Sequence, residues 1–320
     1  MVARWQRFLT LLGFALVLGG TGWLLAQGHA GWAAALLTLG LCGHAAWLGF
    51  TCALAAWQNR RDAAATVPAA SAAQWLAAWW AEVCTAPQVF CWRQPFRSQV
   101  EPDVLPTDAR AQGRVGVVLV HGFLCNRGFW NPWLRRLRAL GVPCVAVSLE
   151  PVFGSIDDYV PTLEAAVRRL SQLTGRPPLL VGHSMGGLAI RAWLRANQAA
   201  GGSDASVHGV VTIGSPHHGT WLAGFSRRAN GEQMRQHSVW LSALAASESA
   251  SRQALFVCLF SHCDNIVFPA SSAVLPGARA VLHVPGAAHV DLMQRPESFA
   301  AVCHALGLAP PELGVMLAAG

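Results

Sequence analysis

The stretch LLVGHSMGGL, residues 179–188, sets a single serine between glycines at the end of an apolar run. Leu179, Leu180 and Val181 suit a buried strand, and apolar residues resume at Leu188. Ser184 has Gly182 and Gly186 two residues to either side, the pattern G-x-S-x-G. A side chain held up on a sharp strand-to-helix turn needs small neighbours, because larger ones would collide there. A helix starting at Met185 would also point backbone N–H groups at an oxyanion formed beside Ser184. The pattern alone is weak, since with 31 glycines in 320 residues about 0.2 matches per chain arise by chance. What surrounds it has to decide.

On both sides the chain alternates apolar runs with amphipathic ones. Residues 115–120, 142–149, 178–182, 208–214, 254–261 and 279–284 read as strands. Residues 132–140, 157–173, 185–199 and 296–306 read as helices. Continuous apolar strands separated by helices predict a mostly parallel, doubly wound sheet.

A serine nucleophile needs a base, and the base needs a carboxylate to fix its tautomer. Downstream of Ser184 the aspartates are Asp204, Asp264 and Asp291. Asp264 follows the strand at 254–261, where a strand-end acid belongs. His289 follows the last strand, beside Gly286 and small residues. Asp204 falls in the Gly/Ser-rich loop GGSDAS, which reads as solvated. In LVHGFLCNRGFW, residues 119–130, the Gly122 turn would aim the backbone N–H of Phe123 at Ser184. The N–H of Met185 would be the second oxyanion donor. His183, beside the serine, reads as structural.

Together these residues resemble the α/β-hydrolase family, and within it bacterial triacylglycerol lipases and esterases. The resemblance covers about residues 115–306. It is carried by HGF (121–123), GHSMGG (182–187), TIGSPHHGT (212–220), DNIVFP (264–269) and GAAHVDL (286–292). It implies the α/β-hydrolase fold, Ser184, Asp264 and His289 as catalytic triad, and Phe123 and Met185 as oxyanion hole. It also implies a lid-like insertion at about 221–252. Many such lipases hold a structural calcium. Asp291 matches one ligating position, but residues 221–252 contain no aspartate to supply its partner. The expectation is therefore no metal and no cofactor, with Asp291 the single calcium candidate.

The N-terminal sixty residues depart from that resemblance. Residues 8–26 carry no charge, and residues 32–57 carry only His44 as a titratable group other than thiols. Runs of about 20 apolar residues span a bilayer. Trp5, Trp23, Trp32 and Trp57 lie near their ends, and QGHAG (27–31) is a tight connector. Arg4 and Arg7 precede the first run, Arg60 and Arg61 follow the second, and the connector has neither lysine nor arginine. By the positive-inside rule a bacterial-type inner membrane would be crossed twice, with the catalytic domain in the cytoplasm. Cleavage of the first run as a signal would still leave the domain inside.

The expected organisation is a transmembrane hairpin at 1–61, a linker at 62–113, a hydrolase domain at 114–308 and a tail at 309–320. The linker's tryptophan-rich helix, AAQWLAAWWAEVC (72–84), either lies on the membrane or packs on the domain.

Composition fits this reading. The hydrophobic fraction is 53% and the mean hydropathy +0.36, high for a chain without membrane segments. The net charge of +7 comes from 23 basic residues, all arginine and scattered in ones to threes. That scatter argues against nucleic acid as a partner. Nine cysteines, none in a C-x-x-C pair, suit reduced buried thiols.

The sequence thus points to a membrane-anchored serine hydrolase acting on lipid or acyl esters. An acyltransferase with the same three residues, and a membrane protein using the fold only as a binding module, are the alternatives.

Overall fold

The computed structural model describes residues 1–105 and 111–309. Part of the linker (106–110) and nearly all of the expected tail (310–320) lie outside the described residues.

Two long apolar helices open the chain, α1 (Val2–Ala26) and α2 (Ala30–Asn59). Both are long and apolar enough to cross a membrane. They pack as a hairpin through small residues. A Cβ on Gly40 would lie 2.7 Å from Val17 Cγ1, so glycine there lets the backbones approach.

Helix α3 (Ala72–Pro87) starts at a capping box. The Ser71 hydroxyl accepts the Gln74 N–H at 3.2 Å, and the Gln74 side chain accepts the Ser71 N–H at 2.8 Å. The chain runs on through a wide turn, Gln88–Arg93, into α4 (Gln94–Arg97).

Six strands follow: β1 (Val117–Val120), β2 (Cys144–Ala146), β3 (Leu179–His183), β4 (Gly209–Ile213), β5 (Phe256–Phe260) and β6 (Ala280–His283). All pair in parallel, in the order β2-β1-β3-β4-β5-β6. Helices α5 (Asn131–Ala139), α6 (Val160–Thr174), α7 (Met185–Ala199) and α12 (Pro296–Ala305) cover the sheet. Residues 221–253 hold a 3₁₀ turn and the short helices α8 (Ala229–Gln233), α9 (Val239–Ala246) and α10 (Ala250–Gln253). Helix α11 (Asp291–Gln294) is a single turn after β6.

Alternate strand residues feed two cores. Val118, Val120 and Leu180 pack with Leu163, Leu170 and Leu188 on one face. Val117, Leu119 and Val181 pack with Trp133, Leu134 and Phe299 on the other. Burial on both faces is why the strands read as unbroken apolar runs. Two elements differ from expectation. β2 is shorter than 142–149, because it lies at the sheet edge and the chain then turns so that Leu149 N–H meets His121 Nε2. The helix at 157–173 begins as a 3₁₀ turn, and its α-helical part starts at Val160 with Pro161 in the first turn.

The sheet order reverses between β1 and β3. β1 continues to β2 on one side, and β3 starts the march the other way. Loops leaving the carboxyl ends of strands at such a switch point face one another across a crevice. Here they are the Gly122 loop and the Ser184 turn.

Candidate active site

Ser184 sits at φ 55° and ψ −130°, between the end of β3 and the first residue of α7. Positive φ is costly for a residue with a Cβ. The turn is over-determined: Ser184 N–H donates to Ile213 O at 2.9 Å, and its neighbours leave no room to relax. A Cβ on Gly186 would strike the Val120 carbonyl oxygen, and one on Gly122 would lie 2.7 Å from Ser184 Cβ. The Gly122 loop therefore touches the serine. Met185 opens α7, so its N–H has no partner within that helix.

Asp264 and His289 meet. His289 Nδ1 lies 2.8 Å from Asp264 Oδ2, with both side chains almost fully buried. The other carboxylate oxygen, Oδ1, accepts the N–H of Ile266 at 2.9 Å and of Val267 at 2.8 Å. A carboxylate so held can only accept, so Nδ1 carries the proton and Nε2 keeps its lone pair. Burial lowers the His289 pKa, but the charge of Asp264 and its hydrogen bond outweigh this and leave it above the ordinary value.

Ser184 and His289 line one cavity of about 320 Å³, together with Gly122 and Phe123. A larger cleft of about 880 Å³ lies elsewhere, bordered by Arg61, His218 and His237. It contains neither Ser184 nor His289, so the smaller cavity is the one that holds the candidate residues.

Two histidines near the serine are structural props. His121 donates from Nδ1 to Gly122 O at 2.9 Å and accepts the Leu149 N–H at Nε2, and burial lowers its pKa to about 4. It stays neutral and braces the Gly122 loop. His183 lies 3.0 Å through Nε2 from the His289 carbonyl, and burial keeps it neutral as well.

The remaining aspartates lie apart from this pair. Asp204 is not simply solvated, since it pairs with the buried Arg252 at 2.8 Å. Asp291, the calcium candidate, pairs with Arg295 Nε at 2.7 Å. No residue of 221–252 lines the cavity. That insertion is pinned to α7 by a buried ion pair, Arg191 with Glu248.

The cavity is covered by the N-terminal helices instead. His44, Trp47 and Leu48 of α2 and Glu82 and Ala86 of α3 line it. α1 reaches the Gly122 loop, where Gln6 donates to Leu124 O at 2.9 Å. α2 reaches the loop bearing Asp264: Asn59 donates to His262 O at 2.9 Å, and Asn265 Nδ2 donates to Thr51 Oγ1 at 3.1 Å. The same Asn265 accepts the His289 N–H. The tryptophan-rich helix packs on both neighbours. Trp79 donates to Ala45 O of α2 at 2.8 Å, Trp75 packs beside Cys263 and Ala288, and Trp80 remains exposed.

Glu82 was not singled out from the sequence. Its buried carboxylate accepts the N–H groups of Val290, at 3.1 Å to both oxygens, and of Asp291 at 3.0 Å. Burial pushes its pKa up to about 7, against those hydrogen bonds and the His289 charge, which lower it. It holds the turn that follows His289. The available signal was a lone acid in an otherwise uncharged helix.

A model described as the alpha/beta hydrolase family matches residues 117–302. The mature form of the Bacillus licheniformis lipase BlEst2 aligns with a TM-score of 0.53 at 19% identity, over 64% of this chain and 96% of that one. Aspergillus fumigatus lipase B aligns with a TM-score of 0.53 at 20% identity, over 64% of this chain and 56% of its own. At such identities the likeness is one of fold. No curated protein matches the sequence.

Proposed function

Because the chain belongs to the alpha/beta hydrolase family, we propose that it is a membrane-anchored serine hydrolase of carboxylic esters, with lipid or acyl esters as substrates. The observation that carries this reading is the buried Asp264–His289 pair, whose histidine lines the same cavity as Ser184.

In the proposed reaction Ser184 Oγ adds to the ester carbonyl carbon, and its proton passes to His289 Nε2. The N–H groups of Phe123 and Met185 take the oxyanion. Collapse expels the alcohol, which leaves with the proton from His289. Water then attacks the acyl-enzyme, giving its proton to Nε2, and the acid leaves as Ser184 regains a proton. Asp264 holds the imidazole in its tautomer and balances its transient charge. No metal takes part, and Asp291 serves Arg295. The hairpin anchors the chain in a bacterial-type inner membrane with the catalytic domain on the cytoplasmic side, as the flanking arginines favour.

The test is hydrolysis of p-nitrophenyl esters of graded chain length by the full-length chain in detergent. Activity lost on fluorophosphonate treatment is expected. A purified, folded chain that neither turns over any ester nor takes the label would refute the reading.

Two variants probe the parts. Gly122→Ala pushes a methyl against Ser184 and displaces the Phe123 N–H. A fall in kcat of about 10²–10³-fold is expected, the usual effect of losing one oxyanion donor, with the melting temperature little changed. Unchanged kcat would separate this loop from the oxyanion.

Glu82→Gln removes the negative charge that Glu82 gains as pH rises through about 7 and that raises the His289 pKa. The base must be neutral to act, so the acidic limb of the kcat/KM–pH profile should move to lower pH. The sign for stability is opposite to the usual carboxylate case. Native Glu82 holds its proton more tightly than the unfolded chain does, so wild-type stability falls as pH rises through the carboxylate range toward 7. That decline should flatten in Glu82→Gln. A profile that does not move would leave Glu82 with no electrostatic hold on the base.

A further inference from the structure

We infer that α2 is the acyl-binding wall of the catalytic cavity, and that lipid esters reach Ser184 sideways from the bilayer between α2 and α3. The inference rests on the serine-hydrolase reading and names the substrate's route and contacts.

The cavity has two unlike sides. Ser184, His289 and Gly122 form one. Leu48, Ala86 and Phe90 form the other, and Leu48 is buried there. His44 and Trp47, one turn before and beside Leu48, stand exposed at the rim. The acid on that side, Glu82, has its carboxylate engaged by backbone N–H groups. A hydrocarbon chain fits such a wall, and a charged or heavily hydrated group does not.

The rim continues into apolar surface. Leu39, Leu41 and Phe50 are exposed on α2, Trp80 on α3, and Leu124 on the Gly122 loop. Trp79 is bonded to α2 at Ala45, and most of residues 30–44 stand exposed. Residues 30–44 make about 22 Å of helix, less than the roughly 30 Å of a hydrocarbon core. An inserted hairpin therefore brings the His44–Trp47 rim down to the lipid. At about 320 Å³, the cavity lies at the lower end of ligand pockets, roughly 300–1,000 Å³. It suits one acyl chain, with the rest of the molecule left in the bilayer. A chain sliding from lipid into such a cavity trades one apolar surrounding for another. The shape of the wall, rather than hydrophobic gain, then sets chain preference.

The experiment uses the full-length chain in phosphatidylglycerol–phosphatidylcholine vesicles, with a short-chain fluorophosphonate as site label. Leu48→Trp fills the wall. The ratio of kcat/KM for p-nitrophenyl palmitate to that for the butyrate should fall at least about tenfold, while labelling of Ser184 keeps its rate within about twofold. Trp47→Arg, on the exposed rim, should lower the ratio of turnover on vesicle-held palmitate to that on dissolved butyrate about tenfold. Leu16→Ala, exposed on α1 and no part of the cavity lining, should change neither. An unchanged chain-length ratio in Leu48→Trp, or equal loss on both esters with labelling intact, overturns the inference. Should Leu48→Trp fail to fold, Trp47→Arg decides, and an unchanged ratio of turnover on vesicle-held palmitate to that on dissolved butyrate overturns the inference. Wild-type protein that takes no label overturns the serine-hydrolase reading, and this inference with it.

Discussion

Ser184→Ala is expected to lower kcat on p-nitrophenyl butyrate by about 10⁵–10⁶-fold and to abolish labelling by a fluorophosphonate. The substitution removes one oxygen from a residue that is 8% exposed. Its backbone is held by β3, α7 and the Ile213 carbonyl, so the turn should survive. A melting temperature within a few degrees of wild type is the accompanying check. Some catalysis over water should remain, since the oxyanion donors and the cavity are intact. Undiminished labelling of folded Ser184→Ala would mean that another residue is the nucleophile.

Asp264→Asn should lower kcat by about 10⁴-fold, for a reason visible in its hydrogen bonds. Oδ1 is claimed by two backbone donors, Ile266 and Val267. An asparagine would keep its carbonyl oxygen there and turn its NH₂ toward His289. The imidazole would then have to accept at Nδ1 and carry its proton on Nε2, which could no longer receive the Ser184 proton. Asp204→Asn and Asp291→Asn break ion pairs with Arg252 and Arg295 and should leave kcat within about tenfold. If Asp291→Asn proves the crippling change, either the acid is misassigned or a cation site involves Asp291.

The parallel sheet and the serine turn were legible because their signals are local. Strands buried on both faces show as apolar runs, and the turn shows as glycines at fixed offsets from Ser184. Asp264 and His289 were legible as strand-end residues, and the fold brings them to 2.8 Å of each other. The cover of the cavity was not legible. The insertion at 221–252 contributes nothing to its lining, while α2 contributes three residues. That contact joins parts of the chain more than two hundred positions apart, as Thr51 and Asn265 are. No periodicity in an apolar helix announces which of its faces meets a domain. Glu82 was hidden for another reason. Its partners are backbone N–H groups, which every residue but proline has, so nothing in the side chains around His289 calls for it.

On the proposed reading, the polar bolts Gln6, Thr51 and Asn59 make the anchor a part that cannot be exchanged. An anchor that serves only to localise an enzyme can drift freely, provided it stays long and greasy. A hydropathy scale would score Thr51→Leu as an improvement to this one. Here that residue supports Asn265, which in turn accepts the N–H of His289. Gln6 likewise holds the loop at Leu124, next to Phe123, the proposed oxyanion donor. A foreign hairpin of equal length and greasiness would hold the protein at the membrane and leave the loops around Ser184 without their supports. Under the proposed function, selection on turnover reaches into the anchor itself, and swapping or trimming it to ease expression changes the activity being measured.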